Sequence, residues 1–199
     1  MEFRHFGKCS MLSPVPVAMV TSVDSAGKPN IFTAAWCGTV CTKPPMITLG
    51  IKPERYSHGL IKQSGECVLN MTSASLVRAA DYCGVKSGRD TDKFADMRLT
   101  PIKTCVSAPA IAESPLNIPC RVKEIIPLGS HDMFILEVMD VALSESLFSG
   151  EAPDLGKANL VSFAHGEYYL TGEKLGFFGF SVASKEVLRR RMPKRGGGK

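Results

Sequence analysis

At 199 residues, with 44% hydrophobic and 22% charged residues, the chain has the composition of one ordinary globular domain with length enough for a sizeable core. No apolar run approaches the roughly 18 residues of a membrane span, and Met1-Glu2-Phe3-Arg4-His5-Phe6 is too polar for a secretory leader, so a cytoplasmic protein is expected. The net charge of +5 belongs to one end: Lys185 to Lys199 holds seven basic residues and one acid, while residues 1–184 hold 17 basic and 18 acidic, which leaves no basic body for nucleic acid.

In chain order, Val15-Pro16-Val17-Ala18-Met19-Val20-Thr21-Ser22-Val23 reads as a strand. Asp24 to Asn30 supplies turn residues, and Ile31 to Thr39 returns as a second strand of a hairpin. After the Pro44-Pro45 break, Met46 to Ile51 forms a third strand. Ser57 to Gly65 is a short helix with a glycine stop, and Glu66 to Met71 alternates into a fourth strand. Ser73 is placed to cap a helix over Ala74 to Tyr82, which Cys83-Gly84 ends. A polar loop runs through Asp92 to a helical turn at Lys93 to Met97.

Short strands follow around Ile102–Cys105, Ala110–Ala112, Asn117–Ile126 and His131–Leu143. Ser146 to Ala158 is broken by Gly and Pro, and Leu160–Phe163 and Glu167–Leu170 finish the regular structure. Many short strands at close spacing argue for a barrel or sandwich, and two helices between the early strands make the class α+β, mainly β. Nothing divides residues 1–184, which form one domain. Residues 185–199 are expected to be a basic, flexible tail; Arg189-Arg190-Arg191 and Lys194-Arg195 would suit an anionic partner, or simply a solvated end.

The seven cysteines, at 9, 37, 41, 67, 83, 105 and 120, are odd in number and show no C-x-x-C spacing, so small buried apolar thiols are expected rather than a disulfide framework. Cys37 and Cys41 are four apart, which would put them on one face of a strand. Histidines 5, 58, 131 and 165 show no metal-ligand spacing, and no metal site is expected. No Gly-x-Gly-x-x-Gly follows a strand, and there is no phosphate loop of the nucleotide-hydrolase kind and no Gly-x-Ser-x-Gly elbow.

Three polar islands remain. They are Asn30-Ile31-Phe32-Thr33-Ala34-Ala35-Trp36 with Cys41-Thr42-Lys43-Pro44-Pro45, then Lys52 to His58, then Cys83 to Phe94. In the second, the Arg55 guanidinium and the Ser57 hydroxyl stand at a helix start, where free N–H groups point outward; that set suits a phosphate, and Lys93 would add a second charge. Arg55 alone means little, since a lone Arg beside a Ser helix cap is more often surface structure, and Trp36 is as easily a core aromatic.

The order and wording of these islands resemble the flavoredoxin and flavin reductase-like family. That resemblance, over about residues 10–170, implies a split β-barrel with two or three short helices and noncovalent FMN. It implies a phosphate site at Arg55, Tyr56, Ser57 and His58, and closure over the cofactor by Ser87-Gly88-Arg89-Asp90-Thr91-Asp92-Lys93-Phe94. Thr33, Ala34, Ala35 and Trp36 would line the flavin ring, Cys41 stands where relatives carry Ser, and Asn70 matches a strand-end Asn. Cys83 would pack nearby, and His131, in Gly129-Ser130-His131, would lie at the reacting face, with His165 a weaker choice. NADH or NADPH, or a protein donor, would supply electrons to free flavin or another acceptor. A homodimer is implied as well. The alternatives are a flavoredoxin-like carrier without turnover of its own and a binder of another phosphorylated cofactor such as pyridoxal phosphate.

Overall fold

The computed structural model describes residues 1–192. The chain enters through a two-residue strand, β1 (Val15–Pro16), and then β2 (Ala18–Val23) and β3 (Pro29–Ala34) form a hairpin. The turn is held by the Asp24 carboxylate, which accepts from Ala26 N–H at 2.9 Å and Lys28 N–H at 2.8 Å, and by Gly27 at φ +81°. All six residues of β2 are buried because the strand has cover on both faces. Ala18 and Val20 join the barrel interior with Phe134, Leu49 and Leu69, while Val17 and Met19 face a second apolar layer under helices. A strand covered on both sides reads as a continuous apolar run rather than an alternating one.

The strand expected over Ile31 to Thr39 is two strands. The chain turns a corner at Ala35-Trp36, and β4 (Cys37–Thr42) sets off in a hairpin with β5 (Pro45–Ile51). The Trp36 carbonyl accepts from Gly50 N–H at 2.7 Å, which carries the β4–β5 register back to the corner. A bulge between Thr39 and Cys41 sets Cys37 opposite Leu49 and Cys41 opposite Met46, so the alternation that would place both thiols on one face is broken.

The helix α1 (Tyr56–Ser64) ends at Gly65, whose φ of 71° closes the last turn through its N–H to the Ile61 carbonyl. After β6 (Glu66–Met71) the chain makes a single tight turn over Ala74–Leu76 before α2 (Val77–Val85). Ser73 does not cap it, since its hydroxyl pairs with that of Ser75 at 2.9 Å. Nor does Cys83-Gly84 stop α2. Gly84 keeps helical backbone, and its missing Cβ would lie 3.4 Å from Thr33 Cβ, so it is a packing glycine that lets α2 approach β3. The helix α3 (Lys93–Asp96) is capped by Asp92, whose carboxylate accepts from Phe94 and Ala95 N–H at 3.1 Å each.

The remaining strands are β7 (Pro101–Ile102), β8 (Ala110–Ile111), β9 (Leu116–Pro127), β10 (Asp132–Val138), β11 (Ala142–Leu143), β12 (Val161–Ala164) and β13 (Glu167–Leu170). The main sheet runs β3-β2-β6-β9-β10-β5-β4, with β11 beside β9. Its two edges, β3 and β4, are successive in the chain, yet no ladder joins them. The barrel is split at that corner. β12 pairs with β1 on one side and β13 on the other in a separate three-stranded sheet. Regular structure does not finish at Leu170. Ser184 caps α4 (Lys185–Arg191), accepting from Val187 N–H at 3.4 Å, so the first part of the basic segment is helical. The tail residues 193–199, with Gly196-Gly197-Gly198, lie outside the described residues.

Candidate functional site

Two adjoining cavities open where the barrel is split. The larger, about 410 Å³, is walled by Thr33, Ala34, Ala35 and Trp36 from the corner, by Gly50 and Ile51 from β5, and by His131 ahead of β10. Phe163 and Tyr168 close it from the β12–β13 hairpin, their rings 5.4 Å apart and edge to face. Gly50 matters here because a Cβ on it would lie 3.2 Å from Trp36 Cβ. The slot is mainly apolar. Its titratable groups include Asp81, which accepts from the Tyr168 hydroxyl at 3.4 Å, and His131, whose Nδ1 is 3.0 Å from the Ser130 hydroxyl. Burial and the Asp81 carboxylate together hold the Tyr168 phenol above its ordinary range.

The smaller cavity, about 260 Å³, shares Phe32, Lys52, Arg55 and Val85 with the first. Its character is the opposite: Lys52, Arg55, Lys86, Arg89 and Lys93 line it against one acid, Glu54. The residue arrangement follows from three local structures. Arg55 is the N-cap residue of α1, in extended conformation, and its Nη1 donates to the Gly84 carbonyl at 2.9 Å, which ties α1 to α2. Ser57, buried in the first turn of α1, accepts at Oγ from Asn30 Nδ2 at 2.7 Å. The loop after α2 folds back over both: Thr91 Oγ1 donates to Ser87 O at 3.1 Å, and the Arg89 guanidinium lies 5.1 Å above the Tyr56 ring.

Lys93 is the unusual member. Its side chain is 4% exposed and donates to the carbonyls of Ile31 (2.6 Å) and Cys83 (2.9 Å), and no carboxylate lies within ion-pair distance among the described residues. Burial lowers its pKa; the neighbouring Cys83 opposes that and Arg55 reinforces it. An ammonium carries three donors and two are used, so one remains for the cavity it lines. A buried cation without a counter-ion is costly unless an anion arrives.

Burial also pushes the Cys83 thiol up to about 11, with Lys93 pulling it down and Asp96 pushing it up. It stays protonated at neutral pH and is a poor nucleophile.

Of the residues expected from the sequence, Thr33, Ala34, Ala35, Trp36, Arg55 and His131 meet in the larger cavity. Arg55, Tyr56, Ser57, Cys83, Ser87, Gly88 and Lys93 meet in the smaller. Four stand elsewhere. Cys41 lies beyond the bulge in β4 and lines neither cavity. The His58 ring turns inward, edge to face on Phe134 at 5.2 Å, with Nε2 2.8 Å from Asp132 Oδ2. Asn70 is consumed by structure: its Nδ2 donates to Met19 O at 2.7 Å and its Oδ1 accepts from Ile111 N–H at 2.9 Å. Phe94 packs into the layer beneath α2 with Leu76, Ala79 and Ile111. His165, the weaker choice, is exposed at φ 55° and lines neither cavity.

Sequence reading missed Asn30 and Lys52 as site residues, although both sit inside the polar islands. It also missed Phe163 and Tyr168, which carry no local signal and arrive only through the pairing of β12 with β1. Among the described residues no three His, Cys, Asp or Glu groups could hold a metal ion.

The Flavin reductase like domain matches residues 11–169 of this chain. The chain belongs to the flavin reductase-like family. Its fold matches flavoredoxin of Desulfovibrio vulgaris (Miyazaki F) at TM-score 0.86 and 34% identity, over 92% of this chain and all of that one. A flavoredoxin from Methanosarcina acetivorans superposes at TM-score 0.83 with 24% identity, over 92% and 100% of the two chains. Among curated proteins it is similar to a NADH:riboflavin 5'-phosphate oxidoreductase of Streptomyces pristinaespiralis, 23% identical over 60% of this chain and 66% of that protein. The class expected from sequence, α+β with a split barrel, is the class observed.

Proposed function

We propose that the two cavities together hold one FMN, noncovalently, and that the protein moves electrons from NADH, NADPH or a protein donor through it to an acceptor. The observation that carries this is the joining of an apolar slot to a cation-lined pocket in which Lys93 is buried with no carboxylate at ion-pair distance among the described residues. A ligand with a flat apolar head and a dianionic tail satisfies both halves at once. FMN, when bound, supplies the ring that takes up and releases the electrons.

The chain's own part is to bind and orient. Arg55 and Lys93 take the phosphate charge, Ser57 adds a hydroxyl oriented by Asn30, and Gly88 leaves room for the loop to close. Thr33, Ala34 and Ala35 present backbone and small side chains along the ring, Trp36 adds an aromatic wall, and Phe163 with Tyr168 excludes water from one end. His131, which lines the slot, is our choice of side chain for the reacting face. A homodimer goes with this reading, as the family resemblance implies.

A second reading is a flavoredoxin-like carrier with no small-molecule turnover of its own; the 34% identity to a flavoredoxin across its whole length favours it. The decisive experiment is a visible spectrum of freshly purified protein with identification of the released chromophore, then anaerobic titration with NADH and NADPH. Flavin bands and rapid bleaching support the reductase. Bands without bleaching support the carrier. A colourless protein that ignores added FMN refutes both.

A further inference from the structure

A largely buried histidine–carboxylate hydrogen bond, lining neither cavity, joins an element of one to an element of the other. His58 follows Ser57 in the first turn of α1, so its backbone belongs to the anion-binding end. Asp132 follows His131, opens β10 and pairs with Ile51 in the register of β5, so its backbone belongs to the ring end. The two side chains meet at 2.8 Å, and they are only 10% and 17% exposed. The His58 ring is further fixed edge to face on Phe134, a fully buried core residue of the same strand. Among the described residues no other side-chain pair joins α1 to β10 in this way: Arg55 ties α1 to α2, and Lys93 ties α3 to β3 and α2.

We infer that His58 and Asp132 are positioning residues: a clamp that fixes the spacing between the anion-binding start of α1 and the ring-facing start of β10. The inference rests on the flavin reading of the two cavities. A ligand that spans both ends gains from a preset spacing, because the protein need not be ordered at the moment of binding. A ligand that fills one end gains little. The prediction is therefore differential. The clamp serves FMN and is nearly indifferent to riboflavin, which shares the ring but lacks the phosphate.

The test is to titrate FMN and riboflavin against wild type, His58→Phe, Asp132→Val and the double variant. Phenylalanine keeps the ring on Phe134 and removes the hydrogen bond, and valine suits a strand. The FMN dissociation constant is expected to rise about tenfold in each single variant and no further in the double, since the pair acts as a unit. The riboflavin constant is expected to move less than about twofold. His58→Gln retains a donor and is expected to restore FMN affinity to within about threefold of wild type. Parallel losses for both ligands, or unchanged affinities with only a lower melting temperature, overturn the clamp and leave the site reading intact. A wild-type protein that binds neither flavin overturns the site reading and the clamp with it.

Discussion

Gly88 offers the sharpest quantitative test of the anion pocket. A Cβ built on it lies 1.8 Å from Asn30 Oδ1, 2.6 Å from Asn30 Cγ and 3.2 Å from Tyr56 Cδ1. The backbone at Gly88 has no positive φ, so alanine strains nothing locally and the whole effect is the collision. Asn30 is 6% exposed and donates to Ser57 Oγ at 2.7 Å, so it must swing away from that bond. Losing a neutral hydrogen bond costs about 1 kcal/mol, and leaving a buried amide unsatisfied adds about 1–3 kcal/mol. The reduced freedom of the unfolded chain returns about 0.4–1 kcal/mol. Gly88→Ala is therefore expected to destabilise by about 1–3 kcal/mol in chemical denaturation. It is also expected to weaken FMN about tenfold or more through the misplaced Ser57 and loop, with riboflavin nearly unaffected. Two other glycines serve as internal standards. Gly84→Ala meets Thr33 Cβ at 3.4 Å and is expected to be mild. Gly59, exposed within α1 with nothing within 4 Å of its missing Cβ, is expected to stabilise the protein by about 0.5–1 kcal/mol on change to alanine. If Gly88→Ala matches Gly59→Ala in stability and binds FMN as wild type does, the steric account of this loop is wrong.

Arg55→Ala should weaken FMN by about tenfold to a hundredfold, the worth of a charge-assisted phosphate contact, with little change for riboflavin; equal retention of FMN by fluorescence titration would refute the phosphate assignment. Lys93 makes a pH prediction. Its folded pKa is lowered, so near and below the ordinary lysine value the unfolded chain binds more protons than the folded one, and this group's contribution to stability rises with pH across that window. A phosphate favours the charged form, so FMN affinity should fall as pH climbs through the Lys93 pKa while riboflavin affinity stays flat. Lys93→Met should remove the difference in slope. Among the thiols, exposed Cys9 and Cys105 should alkylate first at about pH 8, whereas Cys83, pushed up to about 11, and Cys120, pushed up to about 12, should label only on unfolding; peptide mass spectrometry after timed labelling reads the order. Phe134→Ala, at a fully buried position in the barrel, should cost about 3–5 kcal/mol by denaturant midpoint.

The strand pattern was legible wherever one face met water or where turn chemistry was explicit, as at Asp24 and Gly27 or at Gly65. It misled where a tertiary contact overruled a local cue. The only glycine in the Ile31-to-Thr39 run, Gly38, lies past the corner, and the bond from Gly50 N–H to the Trp36 carbonyl shows the chain already paired with β5 at Trp36. Gly84 looks like a helix stop and is a packing surface. Ser73 looks like a cap and spends its hydroxyl on Ser75. In each case the residue type was informative but admitted two physical uses, and the choice depended on what lay across from it.

The same distinction explains why the two halves of the candidate site were not equally readable. The anion end needs particular side-chain chemistry: fixed positive charge, a hydroxyl at a helix start and a glycine where a loop closes over an asparagine. Charge and a hydroxyl at a helix start leave marks in sequence, and Arg55, Ser57 and Lys93 line one cavity; Gly88, which lines it too, came from resemblance. The ring end needs only flat apolar walls and close backbone approach, which many residues provide. Thr33 to Trp36 came from resemblance rather than from chemistry, and Phe163 and Tyr168 had no mark at all until β12 was laid against β1. His58 fell between the two. Its neighbours Tyr56 and Ser57 line the cationic cavity, yet its ring is committed to Asp132 and Phe134 on the far strand. A histidine beside a binding serine invites assignment as a ligand contact, whereas burial and a carboxylate at 2.8 Å make it a structural link between the halves.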